Sequence, residues 1–171
     1  FRRNCIQSDE MEASEEAAAF YEAGGRTLID VTVPGIGRDP KALRRIAQAT
    51  GMNVVMGTGL YTAPSHPQWA HSMDESELCD VFVRELTEGV DGVRAGVIGE
   101  IGISDEYQRE LVALRAAGRA QAATGAAIVI HPPGIKKAAP DMLKLLEHEG
   151  ADISKVVVGH CDWFWDEIDY L

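Results

Sequence analysis

The sequence predicts an α/β protein built on a parallel β-sheet, and two observations support that prediction. Five short segments rich in apolar residues recur along the chain, and a helical pattern lies beside each of them. The segments are almost continuously apolar and do not alternate, which is typical of strands buried on both faces. The predicted strands are TLIDVTV (27–33), NVVMGTG (53–59), RAGVIGEIG (94–102), AAIVIHP (126–132) and KVVVGHCD (155–162).

Capping signals predict five helices between these strands. Each helix begins at a residue that is typical of an N-cap or of a first helical position. The predicted starts are Ser8, Asp39 with Pro40, Ser72 with Glu75 as a capping box, Ser104 and Pro140. Glycine follows four of the helices, as is typical of a helix end. These glycines are Gly24, Gly51, Gly125 and Gly150.

Alternating helices and strands indicate parallel strands joined by right-handed crossovers. The pattern alone fits either an open doubly wound sheet or part of a closed barrel. A complete eight-stranded barrel takes about 250 residues, whereas this chain has 171. It also lacks an initiating Met, and its first predicted element is a helix. We therefore expect a piece of a longer protein, in which residues 1–171 form a single partial barrel domain.

Composition excludes some classes of partner. The chain carries 16 basic and 27 acidic residues and a net charge of −11, which disfavours binding to nucleic acid or to anionic membranes. No apolar run approaches the roughly 18 residues that a membrane span requires. The cysteines are few, odd in number and widely spaced, which predicts a reducing compartment and hence a cytoplasmic location. They are Cys5, Cys79 and Cys161.

Three predicted strands end in residues that can bind a metal ion. Glu100 lies in VIGEIG, His131 in IVIHPP and His160 in VVVGHCD, at intervals of one β/α unit. In a barrel such positions converge at the carboxyl ends of the strands, where barrel active sites form. Carboxylate and imidazole are suitable ligands for Zn²⁺ and similar ions. The competing interpretation is an open sheet in which the histidines are merely hydrogen-bonded.

The longest irregular segment, residues 60–73, is of a length that is often functional. It contains His66 and His71, which we interpret as solvated loop residues, with a pocket-lining role as the alternative. Cys161 adjoins His160, but neighbouring residues in a strand point to opposite faces. A catalytic Cys–His pair is therefore not expected.

Several separated motifs resemble the phosphotriesterase family of the amidohydrolase superfamily. They are DVTVPGIGRDP, VVMGTGLY, LCDVFVRELTEGVDGVRAGVIGEIG, VIHPP and VVVGHCD, and they extend over nearly the whole chain. The resemblance implies a (β/α)₈ TIM barrel, of which this chain supplies roughly strands 2 to 6.

The resemblance also implies two divalent metal ions, most often zinc. In the family a carboxylate on the fourth strand bridges the ions, and one histidine each on the fifth and sixth strands binds them. On that pattern Glu100 is the bridging and catalytic residue, His131 and His160 are metal ligands, and Tyr61 helps to bind substrate. The histidine pair of the first strand and the aspartate of the eighth have no counterpart here, so the chain is expected to carry half a site.

One position departs from the family pattern. Gly99 stands where many members carry a carboxylated lysine, and Glu100 comes one residue later. A shift of one residue in a strand turns a side chain to the other face. Either a bulge at Gly99 re-aims Glu100, or Glu100 is not the bridging ligand. The GEIG form resembles the phosphotriesterase-related branch, in which Glu replaces the modified lysine.

The implied function is a metal-dependent hydrolase that uses a metal-activated hydroxide on esters, lactones, phosphotriesters or acyl amides. The alternatives are a non-catalytic small-molecule-binding barrel with a degenerate metal site and an interaction module of open α/β type. A small molecule is the expected partner in the first two interpretations. The sequence is compatible with a homodimer but does not predict the oligomeric state.

Overall fold

A computed structural model describes residues 9–104, 108–133, 138–167 and 169. Five strands form one sheet in the order β1-β2-β3-β4-β5, and every neighbouring pair is parallel. The strands are β1 Thr27–Asp30, β2 Asn53–Thr58, β3 Val97–Gly102, β4 Ala127–His131 and β5 Val156–Val158. Sequential order of parallel strands is the arrangement of a barrel, which confirms the predicted partial (β/α)₈ barrel.

A helix precedes each strand along the chain. The helices are α1 Glu10–Glu22, α2 Pro40–Thr50, α3 Glu75–Thr87, α4 Gln108–Thr124 and α5 Ala139–His148. Short 3₁₀ segments lie at Ala63–Ser65, Gln68–Ser72, Ile153–Lys155 and Cys161–Phe164. Among the described residues, no helix combines the length and the apolar character needed to cross a bilayer.

The helix caps agree with the sequence prediction only in part. The Asp39 side chain accepts a hydrogen bond from the Ala42 amide, as predicted. For α3 the predicted capping box was wrong: the N-cap is Asp74, and Glu77 completes the box. Ser72 cannot cap α3 because it ends a 3₁₀ helix of its own.

The other predicted helix starts are close to the observed ones. The side chain of Asp9 caps α1 by accepting from the amides of Met11 and Glu12, whereas Ser8 lies outside the described residues. Helix α4 is described from Gln108, so the predicted start at Ser104 adjoins residues 105–107, which are not described. Helix α5 begins at Ala139, one residue before the predicted start.

The core lies between the sheet and the helices that cover it. Large apolar side chains are fully buried there, among them Leu78, Phe82, Ile98, Leu114, Ile128 and Leu146. Burying one such side chain is worth about 1.5–3 kcal/mol relative to leaving it exposed. This packing makes β3 and β4 a rigid platform for the residues at their carboxyl ends.

Strand β3 contains a β-bulge at the position where the sequence departs from the pattern of the family that it resembles. Ile98 pairs with Ile128 and Ile101 pairs with Ile130, so Gly99 and Glu100 together face Val129. Gly99 has φ +137°, and a Cβ at this position would collide with the backbone of Val129. Glycine is therefore needed there both for its conformation and for the close approach of β4. Of the two alternatives predicted for Gly99, the structure shows the bulge.

Candidate metal centre

Glu100, His131 and His160 converge at the carboxyl ends of β3, β4 and β5. One potential ligand atom from each lies within 4.8 Å of the others. Glu100 Oε2 is 3.8 Å from His131 Nδ1, and Glu100 Oε1 is 4.0 Å from His160 Nε2. The two imidazole rings meet edge to face, with their centroids 4.7 Å apart. In the part of the chain that the structure describes, this is the one group of three or more His, Cys, Asp or Glu residues arranged in this way.

Local backbone geometry aims each of the three side chains. Glu100 lies in the β3 bulge, and His131 is the last residue of β4, where its carbonyl accepts from the Ile103 amide. His160 follows β5 in the left-handed conformation, with φ 54°. This conformation is uncommon for a residue with a side chain, and it turns His160 out of the strand direction. Strand β5 consequently ends earlier than predicted.

A neighbouring cysteine takes no part in this cluster. The Cys161 thiol lies 3.4 Å from the Val158 carbonyl, so it faces back along β5. This agrees with the expectation that Cys161 and His160 do not form a catalytic pair.

The residues present fit a divalent cation. Nδ1 of His131 is buried and has no hydrogen-bond partner among the described residues, and its distance from Glu100 is too long for a hydrogen bond. Zinc binds histidine nitrogen and carboxylate oxygen at about 2.0–2.2 Å, so two ligands of one ion are separated by at most about 4.2 Å. Separations of 3.8 and 4.0 Å between carboxylate and imidazole are within that limit.

Burial keeps the His131 imidazole neutral. It lowers the pKa of His131, and this effect outweighs the opposing effect of the Glu100 carboxylate; His160 lowers it further. A neutral imidazole offers the lone pair that metal binding requires.

Tyr61 lies beside His131 at the end of β2. Its hydroxyl is 3.2 Å from His131 Nε2, and the two rings meet edge to face with centroids 5.0 Å apart. Burial raises the pKa of Tyr61, and the charge of Glu100 adds to the effect. The hydroxyl therefore stays protonated at neutral pH and can donate a hydrogen bond.

Comparison with known proteins identifies the family to which this chain belongs. The sequence model that describes the phosphotriesterase family matches residues 4–171 of this chain. The chain belongs to the phosphotriesterase family. The match confirms the resemblance that the separated motifs predicted.

Individual members of the family agree with this assignment. The chain is 38% identical over 170 residues to N-acetyltaurine hydrolase of Dictyostelium discoideum, covering 97% of this chain and 46% of that protein. It superposes on a resiniferatoxin-binding protein from Rhodobacter sphaeroides with a TM-score of 0.92 and 42% identity, covering 95% of this chain and 46% of that one. The chain thus spans about half the length of the curated relatives it matches.

A third comparison concerns a structure with an occupied site. The phosphotriesterase homology protein from Escherichia coli, complexed with phosphate in its active site, matches with a TM-score of 0.87 and 30% identity. The alignment covers 97% of this chain and 60% of that one.

In this phosphotriesterase-family chain, the histidines of the loop after β2 are less solvated than the sequence predicted. His66 is buried, and its Nε2 donates to the Tyr61 carbonyl at 2.7 Å, so its interpretation as a solvated residue was wrong. His71 is exposed, but its Nε2 lies 3.1 Å from the His66 carbonyl. His66 therefore helps to hold the backbone that carries Tyr61. The prolines at 64 and 67 are the sequence signal that could have indicated an ordered loop.

We expect His66 to make folding stability depend on pH. Burial lowers the pKa of His66 below its ordinary value of 6.5, although its bond to the Tyr61 carbonyl opposes this effect. The unfolded chain thus binds the proton more readily. The stabilisation is fully present above about pH 6.5 and is lost as the pH falls through the lower pKa of the folded state.

The variant His66→Gln should accordingly show a smaller loss of unfolding free energy between pH 7.5 and 5.5 than the parent protein. Urea titrations at several pH values would measure it. His148→Gln, at an exposed position, controls for the removal of one imidazole. An unchanged pH dependence in His66→Gln would contradict the assignment.

Proposed function

We propose that the full-length protein is a metal-dependent hydrolase that acts on a small molecule at a carbonyl or phosphoryl group. The observation that supports this most directly is the buried Nδ1 of His131, which has no hydrogen-bond partner within the described ranges, faces a carboxylate and lies beside a second imidazole. A buried nitrogen without a partner is costly unless a ligand satisfies it.

Glu100, His131 and His160 would supply this chain's half of the ligands for two divalent ions, with zinc as the expected metal. His131 and His160 would bind the same ion, and Glu100 would serve as the bridging carboxylate, since its oxygens lie 3.8 Å from a nitrogen of His131 and 4.0 Å from a nitrogen of His160. When bound, such ions lower the pKa of a water ligand towards about 7 and so supply a nucleophile at neutral pH.

The remaining steps fall to the side chains around the ions. Glu100 would contribute to the same cation as the two ligand histidines, because its carboxylate lies within 4.0 Å of a nitrogen of each. Tyr61 would donate its hydroxyl proton in a hydrogen bond to a substrate oxygen and orient the reacting group. Its raised pKa preserves that proton.

Acyl amides are the first substrate class to test. A relative with 38% identity bears the name N-acetyltaurine hydrolase, and the Escherichia coli homologue holds phosphate in its active site. Esters, lactones and phosphotriesters complete the proposed set. A cytoplasmic location also remains part of this proposal.

The second candidate function is non-catalytic binding of a small molecule. It is favoured by the resiniferatoxin-binding protein, with which this chain shares 42% identity. In that case the ligand cluster would be a degenerate site on a binding barrel.

Elemental analysis and a hydrolysis screen of the full-length protein separate the two functions. We expect about two ions per chain, and turnover of an N-acyl amino acid, lactone or aryl phosphotriester that chelation removes and Zn²⁺ restores. His160→Asn is the matched inactive control. A metal-free protein that turns over none of these compounds would refute the hydrolase, and tight ligand binding in the same protein would support the binding function.

A further inference from the structure

Helix α4 carries a buried carboxylate that the proposed mechanism does not use. Glu110 has no exposed surface, although it lies in the first turn of the helix. Its Oε1 accepts from the Ala63 amide at 2.7 Å, and its Oε2 accepts from the Ser104 amide at 2.6 Å. The Ser104 hydroxyl also contacts both oxygens. The carboxylate therefore ties the loop after β2 to the loop after β3.

The backbone that Glu110 holds is the one that carries Tyr61. Ala63 is two residues beyond Tyr61, and the amide of Gly102 donates to the carbonyl of Leu60, just before Tyr61. Gly102 also packs closely on Tyr61, since a Cβ there would collide with the backbone at residues 61–62. The backbone on both sides of Tyr61 is thus held in place, by the Glu110 carboxylate after it and by strand β3 before it.

The Tyr61 hydroxyl in turn engages only one nitrogen of His131. It lies 3.2 Å from Nε2, whereas Nδ1 is buried, faces Glu100 and has no hydrogen-bond partner in the part of the chain that the structure describes. A neutral imidazole carries a single proton on one of these nitrogens. A proton on Nδ1 would be a buried donor without an acceptor, which is costly. With the proton on Nε2, that nitrogen donates to the Tyr61 oxygen and Nδ1 keeps its lone pair.

We propose that Glu110 is a positioning residue that acts through Tyr61 to hold His131 in the tautomer protonated at Nε2, so that Nδ1 presents its lone pair to a cation. The cation rests on the proposed function, whereas the tautomer is a property of the protein alone. The same arrangement leaves the Tyr61 proton free for a substrate oxygen, because the hydroxyl accepts from His131 instead of donating to it.

The test compares Glu110→Gln, Tyr61→Phe and the double variant in the full-length protein. The tautomer of His131 is measured by NMR of ¹⁵N-labelled imidazole in metal-free protein near pH 8, with its signal identified by its loss in His131→Gln. Zinc affinity is measured by competition with a chromophoric chelator. Each single variant should mix the tautomers and weaken zinc binding by about 10–100-fold, the usual effect of losing an outer partner of a ligand.

The double variant and a control variant distinguish action through Tyr61 from a purely structural role of Glu110. If Glu110 acts through Tyr61, adding Glu110→Gln to Tyr61→Phe should change zinc affinity by less than about threefold. Glu149→Gln is the matched control, because Glu149 is also a carboxylate whose side chain is only 8% exposed, but it binds Arg115 and Arg119 away from the loop. It should lower stability without changing the tautomer or the zinc affinity.

Glu110→Asp keeps the proposal testable if Glu110→Gln fails to fold. It keeps the negative charge, but its side chain is one methylene shorter, so the carboxylate cannot reach the amides of both Ala63 and Ser104. It should reproduce the tautomer change.

Unchanged tautomer and affinity in folded Glu110→Gln or Glu110→Asp would overturn the inference, as would fully additive losses in the double variant. Absence of zinc binding by the parent protein would contradict the proposed function, while the tautomer measurement would still decide the inference.

Discussion

Glu100→Ala should abolish tight metal binding by the full-length protein, and His160→Ala should do the same. Each variant removes one of the three ligand atoms that lie within 4.8 Å of one another. We expect affinity to fall on the order of 10³-fold or more, because loss of an outer partner alone costs about 10–100-fold. Isothermal titration with Zn²⁺ and elemental analysis after dialysis would measure the loss.

Two matched variants control for general damage to the fold. Glu85→Gln removes a buried carboxylate that binds Arg38 and Thr58, and His148→Ala removes an exposed histidine. Both should keep the parent stoichiometry of zinc. Unchanged stoichiometric zinc in Glu100→Ala and in His160→Ala would refute the proposed ligand set.

The convergence of the three candidate ligands could be predicted from sequence because it follows from topology. Parallel strands in sequential order end at the same edge of a sheet, so residues that end successive apolar runs are neighbours. Each of the three residues lies near the carboxyl end of such a run, one β/α unit apart, namely Glu100, His131 and His160. Their distances could not be predicted, since these depend on a bulge and on a left-handed residue.

The sequence did not predict the N-cap of α3 correctly because two residue pairs fit the capping-box pattern. Ser72 with Glu75 and Asp74 with Glu77 both have the spacing of a capping box. The structure selects the second pair because the 3₁₀ helix Gln68–Ser72 carries the chain past Ser72 before α3 begins. That helix depends on tertiary contacts, among them the Arg109 guanidinium, which donates to the carbonyls of Ala70 and Met73.

The supporting residues of the site had no sequence signal of their own. Glu110 resembles any acidic residue in the first turn of a solvated helix, yet it is fully buried. Its partners come from loops 47 and 6 residues away in sequence. Burial of a carboxylate by backbone amides from separate loops is a long-range property, and no local pattern reports it.

Gly99→Ala should both destabilise the fold and weaken metal binding. The residue has φ +137°, and the added Cβ would collide with the backbone oxygen of Val129. A left-handed conformation costs a non-glycine residue about 1–2 kcal/mol, and forced repacking costs about 1–3 kcal/mol more. We expect the free energy of unfolding to fall by about 3 kcal/mol, as measured by urea denaturation.

Gly51→Ala separates the two causes of that loss. Gly51 also has a positive φ, +73°, but no atom lies within 4 Å of its added Cβ. It should lose only about 1 kcal/mol and keep its affinity for zinc. Gly99→Ala should lose affinity as well, because relief of the collision shifts the bulge that aims Glu100 between the two histidines. If the two variants lost equal stability and both retained zinc, the bulge would not be what places Glu100 at the centre.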